Sequence, residues 1–366
     1  MVLLLGSSLI AVLIAEVAVR LLDIPPRPLD PLPVPSYQLS DDPIIGYEYR
    51  PNYKPSDEPN DWSLENFAIN SDGFRDREYT DKKPAGVYRI VVLGSSITAG
   101  HGVPDLDDIF PKQLERLLND TTASKQGDSA APTYEVLNLG VGGYQPMQSV
   151  ETLKVKGLKY SPDMVILALG VNDFSLWLGE PGYQLRKKNA TVYRNDWLSQ
   201  LIKKSRLAFL VRALLKRRSD FEDYIKWYKE NILHGQTTVR AALSLFSQLH
   251  QQWHFDACVI IIPEFTTQFS EYKSNNFHSK VLEESKGLPG FTLIDLLGDF
   301  SKLSNDASIF AYDGLHLNKH GHEVLANILL PVVTGDTGRS TDRQNCRQGH
   351  LSDDIPTART GSAQIR

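Results

Sequence analysis

The sequence has little cysteine, two residues in 366, so no disulfide framework holds it together. It also lacks an excess of either charge. Its 39 basic and 44 acidic side chains leave a formal net charge of −5, a near balance that implies no nucleic-acid-binding surface. No Lys or Arg precedes the first apolar stretch, no clear Ala-x-Ala follows it, and no cysteine stands nearby. These gaps argue against a cleaved signal peptide and against a lipid anchor. What the amino terminus does have is an uncharged run from Val2 to Ala15, continuing to Leu22 with only Glu16 and Arg20 interrupting. A helix of that length, at about 1.5 Å per residue, reaches about 31 Å and would cross a hydrocarbon core. Residues 1–23 are therefore expected to form a single-pass membrane anchor through residues 2–22. Glu16 and Arg20, four apart, can pair on one face.

Residues 24–40 are rich in proline and are expected to form an extended spacer. Residues 41–87 read as a small β-rich addition with no assigned chemistry. They contain Gly46-Tyr47-Glu48-Tyr49 and Ser71-Asp72-Gly73, the latter a tight-turn signal. Residues 334–366 are Gly-, Ser-, Thr-, Asp- and Arg-rich with no apolar period, so they are expected to be disordered.

The span 88–333 carries the core of the chain. Short apolar runs at 88–93, 134–139, 163–169, 257–262 and 291–296 read as buried strands, with Cys258 inside the fourth. Between them lie helical patterns: Phe110, Leu114, Leu117 and Leu118, then 239–249, and finally 319–330 behind an Asn318 N-cap. Alternation of this kind implies an α/β fold, a three-layer αβα sandwich with a central parallel sheet. Residues 174–235 exceed a plain crossover. They hold Trp177, Trp197 and Trp227 and a basic, leucine-rich stretch at 203–218. A cap over a pocket, a face resting on anionic lipid, and a helical hairpin packed on the domain all fit this segment.

Four motifs carry the chemistry, three of them at strand ends. The strand at 88–93 runs into Gly94-Ser95-Ser96-Ile97-Thr98-Ala99-Gly100. The next runs into Asn138-Leu139-Gly140-Val141-Gly142-Gly143, a loop whose backbone N–H groups a ligand can approach closely. The third ends in Gly170-Val171-Asn172-Asp173, and Asp313-Gly314-Leu315-His316 precedes the last helix. The carboxyl edge of a parallel sheet is where open α/β folds place ligands.

In this set the chain resembles the SGNH hydrolase superfamily, also called the GDSL esterase/lipase family. Gly94, Ser96, Thr98 and Gly100 match its first block, and Asn138 and Gly143 its second. Gly170, Asn172 and Asp173 match the third, and Asp313 and His316 the fourth. The resemblance spans roughly residues 88–332 and implies the flavodoxin-like fold of that family. One position departs: Ser95 stands where the family usually has aspartate, and the register set by Thr98 and Gly100 makes Ser96 the nucleophile.

A serine hydroxyl needs a base within reach. His316 is the candidate, with Asp313 holding the imidazole in the right tautomer. The resemblance assigns the oxyanion hole to the backbone N–H groups of Ser96 and Gly143 and the side chain of Asn172. His316, His320 and His322 could suggest a metal site, but an N-cap at Asn318 puts His316 ahead of the helix. No metal and no cofactor is expected. His320 reads as solvent-facing and His322 as packed beneath the loop; His101, just after the serine loop, could line a pocket, with solvent exposure the favoured reading.

The expected function is a serine esterase cleaving O-acyl esters of a lipid, an acetylated glycan or a small alcohol. Two alternatives remain: an O-acyltransferase or O-acetyltransferase acting on a glycan, and a non-catalytic surface-binding module. The resemblance also leads one to expect a catalytic domain that is periplasmic or extracellular.

Overall fold

The computed structural model describes residues 2–22, 36–55, 67–124, 132–174 and 228–335 except Thr267, with a few positions in 205–226. Most of the spacer, the 174–235 segment and the 334–366 tail lie outside the described residues. Five strands form one parallel sheet: β3 (Val87–Leu93), β4 (Thr133–Asn138), β5 (Met164–Leu169), β6 (Asp256–Ile261) and β7 (Thr292–Asp295). Their order is β4-β3-β5-β6-β7, every neighbour parallel. The chain therefore reverses its direction of sheet growth at β3, and the crevice at such a reversal is where open α/β sheets hold ligands.

Alternate residues of each strand face opposite layers, which is why uniformly apolar runs were needed. Ile90, Val92, Ile166 and Ile260 pack with Phe110, Leu114 and Leu118 of α3 (Phe110–Ser124) and Leu325 and Leu329 of α8 (Lys319–Thr334). Val91, Leu93, Leu167 and Val259 face Val150 of α4 (Pro146–Thr152) and Val239, Leu243 and Phe246 of α5 (Thr238–Trp253). The remaining described helices are α1 (Val2–Leu21), α2 (Ser96–Ala99), α6 (Asn275–Ser285) and α7 (Leu297–Leu303). The chain is thus an α/β fold, with a central parallel sheet and helices on both of its faces. Asn318 caps α8 by accepting from Gly321 N–H at 2.9 Å, and Cys258 is buried.

Before the sheet, β1 (Tyr37–Leu39) and β2 (Tyr47–Tyr49) pair antiparallel. The strand β1 lies inside the stretch assigned to the spacer, so ordered structure starts earlier than residue 41. The reason is packing: Tyr37 is 1% exposed and stacks on Tyr49 at 4.8 Å.

The expected membrane span needs correction. The helix α1 forms, yet among the described residues no helix is long and apolar enough to cross a membrane. Its carboxyl-terminal turns are tied to charge and to protein. Arg20 donates to Glu16 at 2.7 Å, and Glu16 Oε2 accepts from Ser205 Oγ and from Leu207 N–H, each at 2.8 Å.

Candidate active site

β3 delivers Ser96 to the sheet edge as the first residue of α2. The turn is tight because the next loop lies directly on it. A Cβ added at Gly140 would sit 2.6 Å from Ala99 N and 2.7 Å from Thr98 Cβ. Ser95 holds the N-cap position but makes no side-chain cap hydrogen bond. Its carbonyl accepts from Ala99 N–H at 2.9 Å.

From the far end of the chain, His316 Nε2 comes within 2.8 Å of Ser96 Oγ. Asp313 Oδ2 lies 2.6 Å from His316 Nδ1 on the other side of the ring. Burial alone would raise the Asp313 carboxyl, but hydrogen bonds from the His316 backbone N–H and ring, and from Leu315 N–H, hold it below the usual carboxylate range. An ionised Asp313 requires the proton on Nδ1, which leaves the Nε2 lone pair to accept from the serine hydroxyl. This arrangement can move a proton from serine to imidazole while a neighbouring anion stabilises the imidazolium.

The loops on either side of β3 bring the other two residues singled out by the motifs. Gly143 follows β4 in a turn with φ of +74°, a conformation that suits only glycine without strain. Asn172 stands exposed on the single turn Val171–Phe174 after β5. Its neighbour Asp173 is buried, and Oδ2 accepts from Gly170 N–H at 2.6 Å. Burial pushes this carboxyl up to about 7, offset only partly by the Gly170 hydrogen bond.

The histidines divide differently from expectation at one position. His101, read as solvent-facing, is half-buried, its ring centroid 4.4 Å from that of His316. Tyr312 stacks on the same imidazole at 5.8 Å. Sequence reasoning missed the His101 contact, because the fold that joins residues 101 and 316 leaves no local pattern. His320 is exposed. His322 is fully buried and accepts from Phe110 N–H through Nδ1 at 3.2 Å. Burial, then the charges of Arg75 and His316, lowers it to about 3, so it stays neutral. Among the described residues no group of three or more His, Cys, Asp or Glu side chains is placed to hold a metal ion.

Arg75 is a second residue the motifs did not reveal. It is 2% exposed and donates to the carbonyls of Ala99, Gly100, Val103 and Pro104 at 2.5–3.1 Å, fastening the segment just after α2. Its own carbonyl accepts from Asn138 Nδ2 at 3.0 Å, while Asp76 Oδ2 accepts from Asn138 N–H at 2.6 Å. Asp76 in turn faces Lys112 at 2.8 Å.

The sequence profile of the GDSL-like lipase/acylhydrolase family matches residues 92–324, from the end of β3 into α8. The chain belongs to this family. It is an ester-hydrolysing enzyme. Several solved structures are similar to it. One is the acetyl xylan esterase AlAXEase, at 17% identity and a TM-score of 0.40, covering 67% of this chain and 99% of that one. Another is a lipase/acylhydrolase from Enterococcus faecalis, at 19% identity and a TM-score of 0.40, with 69% and 100% covered. A two-domain esterase active on acetylated mannans matches at 13% identity and a TM-score of 0.40, with 70% and 52% covered. Curated protein sequences yield no match.

Proposed function

We propose that this GDSL-family enzyme hydrolyses carboxylic esters through an acyl-enzyme on Ser96. His316 takes the serine proton as the oxygen attacks the ester carbonyl, then returns it to the departing alcohol. Water repeats the sequence on the acyl-enzyme. Asp313 keeps the imidazole oriented and favours its cationic form. The backbone N–H groups of Ser96 and Gly143 and the side chain of Asn172 stabilise the tetrahedral oxyanion. The observation that carries this reading is the hydrogen-bonded row from Ser96 Oγ to His316 at 2.8 Å and from His316 to Asp313 at 2.6 Å.

The test is a panel of esters, from short to long acyl chains and including acetylated sugars. Ser96→Ala and His316→Ala should lose turnover on every ester, and Ser95→Ala should keep it. Turnover at the wild-type rate by a folded Ser96→Ala protein refutes the assignment. The panel also separates lipid, glycan and small-ester substrates.

The same proposal includes contact with a membrane through α1, with the catalytic domain outside the cytoplasm. Ile10, Val12, Leu13, Ile14, Val17, Leu21 and Leu22 are each more than half exposed, an apolar surface of the kind that marks a lipid or protein contact. Flotation of the full chain with phosphatidylcholine vesicles, lost in an Ile14→Asp/Val17→Asp variant, is the expected result. Equal flotation of the two proteins would remove α1 from the contact.

A further inference from the structure

The β1–β2 hairpin places three phenol groups around two successive peptides of the glycine loop, those on either side of the Gly142 Cα. Tyr47 Oη donates to Gly142 O at 2.9 Å, and Tyr37 Oη donates to the same oxygen at 3.4 Å. Gly142 N–H donates to Tyr49 Oη at 3.0 Å. These are contacts across 93–105 residues of sequence, and all three rings are at most 1% exposed. The hairpin is itself fixed to the loop. Tyr144 Oη donates to Tyr47 O at 2.7 Å, Gln148 Nε2 donates to Ile45 O at 2.7 Å, and the rings of Tyr47 and Tyr144 meet edge-on at 5.3 Å.

The carbonyl of Gly142 and the N–H of Gly143 belong to one planar trans peptide, so they point in opposite directions. Holding that oxygen fixes where the Gly143 N–H aims. A peptide between two glycines has little intrinsic resistance to rotating about its flanking bonds, because neither neighbour carries a Cβ. Donation to the carbonyl also polarises the amide and strengthens the N–H as a donor.

We propose that Tyr37 and Tyr47 are positioning residues for the oxyanion hole, with Tyr49 steadying the preceding N–H. The inference rests on the reading that Gly143 N–H stabilises the oxyanion formed on Ser96. The addition before the sheet, to which the sequence assigned no chemistry, then sets the transition-state geometry without touching substrate.

The experiment measures kcat and KM on a short-chain ester for the full chain, for Tyr47→Phe and for Tyr37→Phe/Tyr47→Phe. Tyr160→Phe serves as the control. Its hydroxyl bonds Asp72, so it joins the same addition to the body of the protein away from Gly142. Losing an oxyanion donor outright costs about 10²–10³ in rate. A misaimed donor should cost less: about tenfold in kcat for Tyr47→Phe and about a hundredfold for the double variant, with KM within about twofold. Affinity for an alkyl boronic acid, which forms a tetrahedral adduct on serine, should weaken by the same factors, and Tyr160→Phe should match wild type in both.

Wild-type kcat in the double variant overturns the inference, as does an equal loss in Tyr160→Phe. Ser96→Ala is assayed alongside. If it is inactive while the double variant is unimpaired, the positioning role alone fails. If it is active, the underlying site assignment fails, and the positioning role with it.

Discussion

Replacing Asp173 by asparagine should make the protein more stable, by an amount that depends on pH. The carboxyl is buried and titrates near 7 in the folded protein, against an ordinary 3.8. Between about pH 4 and pH 7 the folded state therefore holds a proton that the unfolded chain has released. Stability must fall as pH rises through that window, and the loss is complete just above pH 7. A displacement of that size corresponds to about 4 kcal/mol. The replacement amide would not titrate, yet its carbonyl oxygen can still accept from Gly170 N–H. Urea unfolding of both proteins at intervals from pH 4 to pH 8 gives the difference directly. Variant minus wild type should grow by about 4 kcal/mol across that range. Taking the difference removes Asp72, Asp295 and Asp313, whose carboxyls lie below the usual value and titrate in more acid solution. A flat difference would mean that the Asp173 carboxyl is not raised, since a normal or lowered carboxyl has finished titrating by the acid end of that range.

Three further outcomes follow from the same geometry. Asn172→Ala should lower kcat by about 10²–10³, with the unfolding midpoint nearly unchanged, since the side chain is exposed; a loss under about fivefold would take Asn172 out of the oxyanion hole. Asp313→Asn should lower kcat by on the order of 10⁴, because an amide no longer enforces the Nδ1–H tautomer; activity near wild type would show that His316 is oriented by something else. Arg75→Met should cost at least about 3 kcal/mol in urea unfolding, because it strands buried carbonyls and removes the guanidinium stacked 4.3 Å from the Phe67 ring; a cost below about 1 kcal/mol would mean those carbonyls find other donors.

The sheet was legible because its strands are buried on both faces, and burial of that kind writes itself as unbroken apolar runs. Val87–Leu93 and Met164–Leu169 coincide closely with their predicted spans; Thr292–Asp295 is shorter than expected, because Leu296, whose N–H still donates to Ile261 O at 3.1 Å, already takes helical backbone angles as the N-cap of α7. Ser96, Asp313 and His316 stood out because each follows or adjoins a local turn signal. The contacts of Tyr37, Tyr47, Arg75 and His101 did not. Each is a side chain meeting backbone or ring across 24 to 215 residues, arithmetic that holds for Arg75 with Ala99 and for His101 with His316. Such contacts leave no periodicity to detect. An arginine in a polar turn reads as solvated until the fold buries it.

The glycine loop shows why such distant contacts are needed. Gly140 must lack a side chain because the Ser96–Ala99 turn lies 2.6 Å from where its Cβ would be, and Gly143 must lack one because its φ is +74°. Each glycine that permits this approach also widens the range of conformations open to the loop, and a hole that stabilises an oxyanion works only if its donors are aimed before charge develops. Strand β4 ends at Asn138, and backbone bonds to the β3 chain carry on through Leu139 N–H to Val92 O and Val141 N–H to Gly94 O. For Gly142 and Gly143, order has to come from outside the loop and from groups that are themselves rigid. Buried tyrosines meet the requirement: few rotatable bonds, a large apolar ring to anchor them, and one hydroxyl to deliver at a fixed distance. On this argument, an added Cβ at Gly142 should lower kcat more than it shifts the unfolding midpoint, since Gly142 joins the two peptides that the three phenols hold.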